Sequence, residues 1–332
     1  MRPTFRSKYL GPLTRLLFVV QLLGAAPLAA QVDGDQAHPL AELDTPGYAQ
    51  SVTVFGQRVF VADGDHGLRI FDVSNPRTPR ELGHLDTPGF AWRVALNEDG
   101  SRAYVADGST GLAIADVAAS GAPRLLGRVE TEDFVLDVAL RGSVAVLAER
   151  LGGLRTLDVS NPAAPRELGQ LDTPGAAIRI ALAGELAWVA DGNAGLQSVD
   201  LSNPAAPRAL GTRDTSGSAL ALALAPNLVF LADRLGGLRS FDRSDPAHPR
   251  ELGSAGGGKH FALGVAVAGS LAFVASRLDG VRVFDVTDPR RPRAVAVIDT
   301  PGEAWDVVLV GPLAFVADGS AGLRILDISK LL

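Results

Sequence analysis

The sequence predicts an all-β fold, a seven-bladed β-propeller with four antiparallel strands per blade. Three observations carry that expectation. A period of about 42 residues runs through the chain, each period holds short apolar runs between turn residues, and the last period stops one strand short.

The period is plainest in the phrase LRIFDVSNP, Leu68 to Pro76. It returns as LAIADVAAS, LRTLDVSNP, LQSVDLSNP, LRSFDRSDP, VRVFDVTDP and LRILDISKL. Its aspartate falls at Asp72, Asp116, Asp158, Asp200, Asp242, Asp285 and Asp327, at intervals of 42 to 44 residues. A second phrase, DTPG, begins at Asp44, Asp86, Asp172 and Asp299, and degenerates to ETED at Glu130 and DTSG at Asp214. A third, VADG or a relative, ends a strand at Asp63, Asp107, Glu149, Asp191, Asp233, Ser276 and Asp318.

The fourth period shows how one unit divides: IRIALA, LAWVA, LQSVDL and RALGTR, separated by Ala-Gly-Glu, Asp-Gly-Asn-Ala-Gly and Ser-Asn-Pro-Ala-Ala-Pro. These turn residues interrupt the chain too often for helices, and runs apolar at nearly every position suit strands covered on both faces. The final unit ends after its third strand. The missing one stands at the other end of the chain in PLAELDTPG, Pro39 to Gly47, which aligns with ELGHLDTPG. Pairing the two ends closes the ring and leaves no unpaired edge.

Ahead of the repeats the chain opens with Arg2, Arg6, Lys8 and Arg15, an apolar run from Leu16 to Ala26, and small residues at Ala29 and Ala30. This is the pattern of a secretory signal peptide, expected over residues 1–30 with cleavage after Ala30. Residues 31–38 then form a short linker and 39–332 the propeller. The apolar run is well short of the roughly 20 residues a membrane-spanning helix needs, so no transmembrane helix is expected after the leader is removed. An exported protein results, in the periplasm, on the cell surface or secreted. With no Cys, the chain has neither a lipoprotein anchor nor disulfides, and a core of this size needs none. The net charge of −6 becomes more negative once the leader's cations are gone. That argues against nucleic acid as a partner.

The repeated L-x-[IV]-x-D-[VI]-S-N-P phrase resembles the LVIVD repeat family of bacterial and archaeal exported or cell-surface proteins. The resemblance spans the whole mature chain and implies a propeller. It carries no catalytic motif that could be transferred.

One stretch invites another reading. GSAGGGKH, Gly253 to His260, has the Gly and Lys spacing of a phosphate-binding loop, but His260 stands where that motif needs Ser or Thr. By alignment its glycines fall at the DTPG position and join strand to strand, whereas a phosphate loop runs from strand into helix. It is read as a degenerate repeat loop.

Antiparallel order places the DGxxG and DTPG loops on one face of the ring and the DxSNP turns on the other. Asp63, Asp107, Asp191 and Asp318 are therefore candidates for a partner-binding face, against the simpler role of holding their own turns. No cofactor is expected. Ca²⁺ is the ion such carboxylates would take, although no D-x-D-x-D-G loop is present. One position of the innermost strand varies as Ser51, Arg93, Asp137, Arg179, Ala221, Gly264 and Asp306. Arg93, Asp137 and Arg179, on successive blades, are expected to meet as an ion-paired chain near the central channel. With Asp306 they are candidates for binding a ligand. Trp92 and Trp305 precede this position as candidate walls of the channel mouth. Lys259 and His260 are further ligand candidates, because the sixth unit departs most from the repeat.

His38, His66, His84, His248 and His260 lack metal-ligand spacing, and there is no G-x-S-x-G elbow. The function expected is a monomeric, protein-binding scaffold of the cell envelope, more a binding protein than an enzyme. The alternative is a propeller hydrolase or lyase with a divalent cation on the carboxylate face.

Overall fold

The computed structural model of the protein describes residues 37–118 and 122–332. The expected signal peptide, and the linker up to residue 36, lie outside them. The described residues form 28 strands and no helix, arranged as seven four-stranded antiparallel sheets. Blades one to six are continuous in sequence. Their innermost strands are Ser51–Phe55, Arg93–Leu96, Asp137–Arg141, Arg179–Ala183, Ala221–Ala225 and Gly264–Ala268. Blade seven combines Asp306–Val310, Leu313–Ala317 and Leu323–Asp327 with the N-terminal strand His38–Leu43. Each innermost strand packs on the next, and Asp306–Val310 packs on Ser51–Phe55, so the ring is closed.

The closing strand pairs through Pro39 with Leu326, Ala41 with Ile325 and Leu43 with Leu323. Leu40, Ala41 and Leu43 join a core cluster shared by blades seven and one, with Phe315, Leu323, Val52 and Phe71. Closure thus adds a hydrogen-bonded ladder and apolar burial together.

Second strands such as Arg58–Ala62 are buried at four successive positions, because each sheet is covered on both faces by its neighbours. Phe60 and Ile70 of blade one meet Val94, Ala103 and Val105 of blade two. Large side chains on one sheet opposite small ones on the next keep the stack close-packed.

The outermost strands share a feature absent from the sequence reading. Each is bulged at one residue, as at Leu168, which is skipped between the pairs Thr156–Gly169 and Leu157–Glu167. In blades two to five the glycine beside the bulge lets the next blade approach. A Cβ on Gly127 would lie 2.1 Å from the Pro162 carbonyl oxygen, and one on Gly169 would lie 2.7 Å from that of Ala205. Hydroxyls of the third strands complete this contact: Thr156 and Ser198 donate to the carbonyls of Pro204 and Pro246 in the following blade.

The GSAGGGKH stretch runs from strand Arg250–Ala255 to strand Gly264–Ala268. Gly256 and Gly258 take φ of 74° and 98° in the connecting loop, a conformation glycine adopts without steric cost.

Candidate functional site at the channel mouth

The DTPG and DGxxG loops do share one face, and the aspartates ending the second strands fasten them together. Asp63 accepts hydrogen bonds from Thr45 Oγ1 at 2.5 Å and from the Gly47 amide and Arg69 Nε at 3.0 Å. Asp191 and Asp318 hold Thr173 with Gly175, and Thr300 with Gly302, in the same way. Thr87 and Gly89 bind Asp107. The Thr and Gly of DTPG are thus explained by a buried carboxylate.

The expectation that Asp63, Asp107, Asp191 and Asp318 offer a partner face is corrected by their burial: none is more than 1 % exposed. Burial pushes the carboxyls of Asp191 and Asp318 above the usual range, against the hydrogen bonds they accept. The carboxylates that reach solvent on this face are instead those opening the DTPG phrases, such as Asp44, Asp86 and Asp172. Among the described residues no group of three or more His, Asp or Glu side chains is placed to hold a metal ion.

Blade six lacks this buried carboxylate, since Ser276 replaces it. In blades one, three, five and seven the arginine of the third strand pairs with it, as Arg69 does with Asp63 and Arg239 with Asp233. Arg282 turns to the Gly256 carbonyl oxygen, 3.1 Å away, and burial lowers its pKa. His260 Nδ1 lies 2.7 Å from Asp279 Oδ2, both side chains about two-fifths exposed. His260 and the exposed Lys259 stand outside the central cavity.

That cavity, about 360 Å³, opens where the innermost strands begin. The residue before each innermost strand lines it: Gln50, Trp92, Leu136, Ile178, Leu220, Leu263 and Trp305. Phe134 and Arg150 reach it from the loops, and Arg93 and Arg179 lie one residue deeper. The indole of Trp92 rests on Phe90, centroids 4.9 Å apart, and that of Trp305 meets Tyr48 edge-on at 6.0 Å. Trp305 Nε1 donates to the Tyr48 hydroxyl, which donates to Glu303.

The polar cluster beneath the walls differs from a chain along adjacent blades. Arg93 is 3.5 Å from Asp137 of blade three and 3.1 Å from Asp306 of blade seven. Arg179 of blade four does not pair with its neighbour Asp137; it reaches across the channel to Asp306, at 3.6 Å. Both carboxylates also bind backbone of the following blade: Asp137 accepts from the Ile180 amide at 2.7 Å and Asp306 from the Val52 amide at 3.3 Å. Small residues make the crossing feasible. Ser51 and Ala221 take the equivalent positions, and a Cβ on Gly264 would lie 3.2 Å from Asp306 Oδ1. Burial raises the Asp137 pKa against the attraction of Arg93. Burial first, and then the like charge of Arg93, pushes Arg179 down to about 10.

Three arginines missed by the sequence reading as a set surround the mouth. The residue after each second-strand carboxylate, or after Ser276 in blade six, is Gly64, Gly108, Gly192 or Gly319 in four blades, all at positive φ. In blades three, five and six it is Arg150, Arg234 and Arg277, at φ of 38°, 47° and 54°. These are the non-glycine residues at positive φ among the described residues. Each is followed by an exposed leucine: Leu151, Leu235 and Leu278, at 66, 49 and 71 %. Arg150 lies over the Phe134 ring at 5.7 Å, while Arg234 and Arg277 flank Phe261 at 5.5 and 5.9 Å. The signal was present in the sequence as RLGG, RLGG and RLDG where other blades read GDHG, GSTG, GNAG and GSAG.

Chemically, the face offers apolar walls, enclosed cations and an exposed Arg-Leu rim. No helix among the described residues is long and apolar enough to cross a membrane.

The LVIVD repeat model matches residues 46–87, 88–131, 135–173, 174–215, 216–255 and 301–331. The gap from 256 to 300 covers the divergent sixth blade. No curated protein matches the chain in sequence. Among solved structures, the RRP9 WD40 repeats superpose with a TM-score of 0.73 at 15 % identity, covering 88 % of this chain and 97 % of that one. A chain of the Mitotic Checkpoint Complex gives 0.73 at 15 % identity, covering 87 and 94 %. The computationally designed Ika8 protein gives 0.64 at 12 %, covering 88 and 100 %. At these identities the likeness is one of fold.

Proposed function

The chain belongs to the LVIVD repeat family, and we propose that it is an exported binding scaffold that engages a protein partner of the cell envelope through its channel-mouth face. The observation that carries this reading is the set of three Arg-Leu loops. A non-glycine residue at positive φ costs of order 1 kcal/mol or more, and four blades avoid that cost with glycine at the same place. Retaining arginine there three times, each beside an exposed leucine, favours a use for those side chains beyond the blade. Leucine and arginine together suit a protein segment with apolar and acidic side chains. Export is supported by the basic, apolar and small-residue order of the first 30 residues.

The reading is tested by capture from envelope extract of the source organism, with residues 31–332 as bait. A second bait carries Leu151→Ser, Leu235→Ser and Leu278→Ser. A protein retained by the first bait and lost from the second supports the rim as the binding surface. Equal retention by both overturns it.

A further inference from the structure

The cavity within this face is built unlike the loops around it. Its walls are apolar, from Trp92, Leu136, Leu220 and Trp305 among others, and its deep end presents the guanidiniums of Arg93 and Arg179, with Asp137 and Asp306 beneath them. Three guanidiniums line it, Arg93, Arg150 and Arg179. The two carboxylates beneath are already engaged. Asp137 accepts from the Val138 and Ile180 amides, and Asp306 from the Val52 amide and Arg93.

Arg179 is left under-satisfied. Its side chain is 16 % exposed and its one carboxylate contact is 3.6 Å long. It makes no hydrogen bond of ordinary length to any described residue, and it lines the cavity. Enclosing a guanidinium in this way is costly unless a partner answers it. The group that best does so is a planar oxyanion, which takes two parallel N–H bonds from one guanidinium. Burial, and then the like charge of Arg93, lower the pKa of Arg179, as expected of an enclosed cation.

The volume of about 360 Å³ falls at the small end of ligand cavities. It suits a body of one ring or a medium aliphatic chain, and too few polar groups line the walls to recognise a sugar or a nucleotide.

We propose, as a refinement of the binding reading above, that the mouth cavity takes an amphipathic monocarboxylate. Its head lies on Arg179 and Arg93, and its apolar body lies between Trp92, Trp305, Leu136 and Leu220.

The test uses the purified full chain with octanoate, 3-phenylpropionate and cyclohexanecarboxylate as probes. Octylamine and 1-octanol have a comparable body without the anion. Binding is followed by calorimetry and by tryptophan emission, since two of the three tryptophans line the cavity and Trp188 is fully buried. Saturable binding of at least one carboxylate is expected, with the amine and alcohol at least tenfold weaker. Arg179→Gln is expected to weaken the carboxylate tenfold or more. Leu220→Trp adds bulk to the cavity wall while leaving every residue of the ion cluster in place, and is expected to abolish binding; it decides the matter if Arg179→Gln does not fold. The proposal is overturned if no carboxylate saturates, if octylamine or octanol binds as well, or if a folded cavity-filled variant binds like the parent. Rim capture in the envelope experiment does not use the cavity floor. Capture without carboxylate binding therefore removes this inference alone, and carboxylate binding without capture removes the rim reading alone.

Discussion

Arg179 of blade four and Asp306 of blade seven face each other across the central channel, Nη1 to Oδ1 3.6 Å apart, and the two are held very differently. Asp306 also receives Arg93 and the Val52 amide, whereas Arg179 has no further carboxylate within ion-pair range among the described residues. Asp306 is thus the hub that secures blades two and seven to blade one, and Arg179 is the member with donors to spare. Asp306→Ala should cost about 3–5 kcal/mol, as expected when one partner of a buried ion cluster is removed. Arg179→Met should cost less than about 1.5 kcal/mol, since an apolar side chain of similar length relieves an unanswered buried cation. Denaturant unfolding of the two variants measures the difference, and equal losses would contradict the hub.

Ring closure makes a separate prediction. Deleting residues 39–45 removes the strand that pairs with Leu323–Asp327 and exposes Phe315 and Leu323. A loss of several kcal/mol should lower the melting temperature by roughly 10 °C or more. Calorimetry of the truncated chain checks this.

The Arg-Leu loops should trade stability against binding. Arg234→Gly relieves a φ of 47° and should leave stability unchanged or raise it by up to about 1 kcal/mol. Partner capture should weaken at the same time. A variant less stable than the parent would show that the cation's contact with Phe261 outweighs the backbone cost.

Acid should act through the opposite face. Asp242 is held down to about 2 by the Ser244 hydroxyl and amide and then by Arg250. Asp72, Asp158, Asp200, Asp285 and Asp327 are lowered in the same direction by the same kind of turn. A carboxylate whose folded pKa is depressed contributes stability above its unfolded value, near 3.8, and loses it as pH falls toward the folded value. These turns should therefore destabilise the fold between pH 4 and 2. The raised carboxyls of Glu149, Asp191 and Asp318 act in the other direction, since protonation relieves their burial. Asp242→Asn should make the acid limb of the stability curve shallower, and an unchanged limb would show that the turns do not set it.

The blades were legible because their signals repeat: an aspartate ends a third strand seven times over, and the unpaired ends could only answer each other. The site was legible in part. The alternation of Arg93, Asp137, Arg179 and Asp306 among small residues marked the channel, but which charges meet depends on distances across a ring. Sequence order suggested Asp137 for Arg179, and geometry gave Asp306. The aspartates of the second strands misled because recurrence shows that a residue is needed without showing whether it is buried or displayed. The Arg-Leu loops were overlooked because they depart from the repeat, and their strain appears only as a backbone angle.

The most direct test of the central claim compares the two faces of the ring in one affinity measurement. One variant carries Leu151→Ser, Leu235→Ser and Leu278→Ser at the mouth. The other carries Ala163→Glu, Ala205→Glu and Ala247→Glu, three exposed positions in the turns of the opposite face. With the captured envelope partner as titrant, the mouth variant should bind at least tenfold more weakly than the parent and the opposite-face variant equally well. Loss confined to the opposite-face variant would contradict the account.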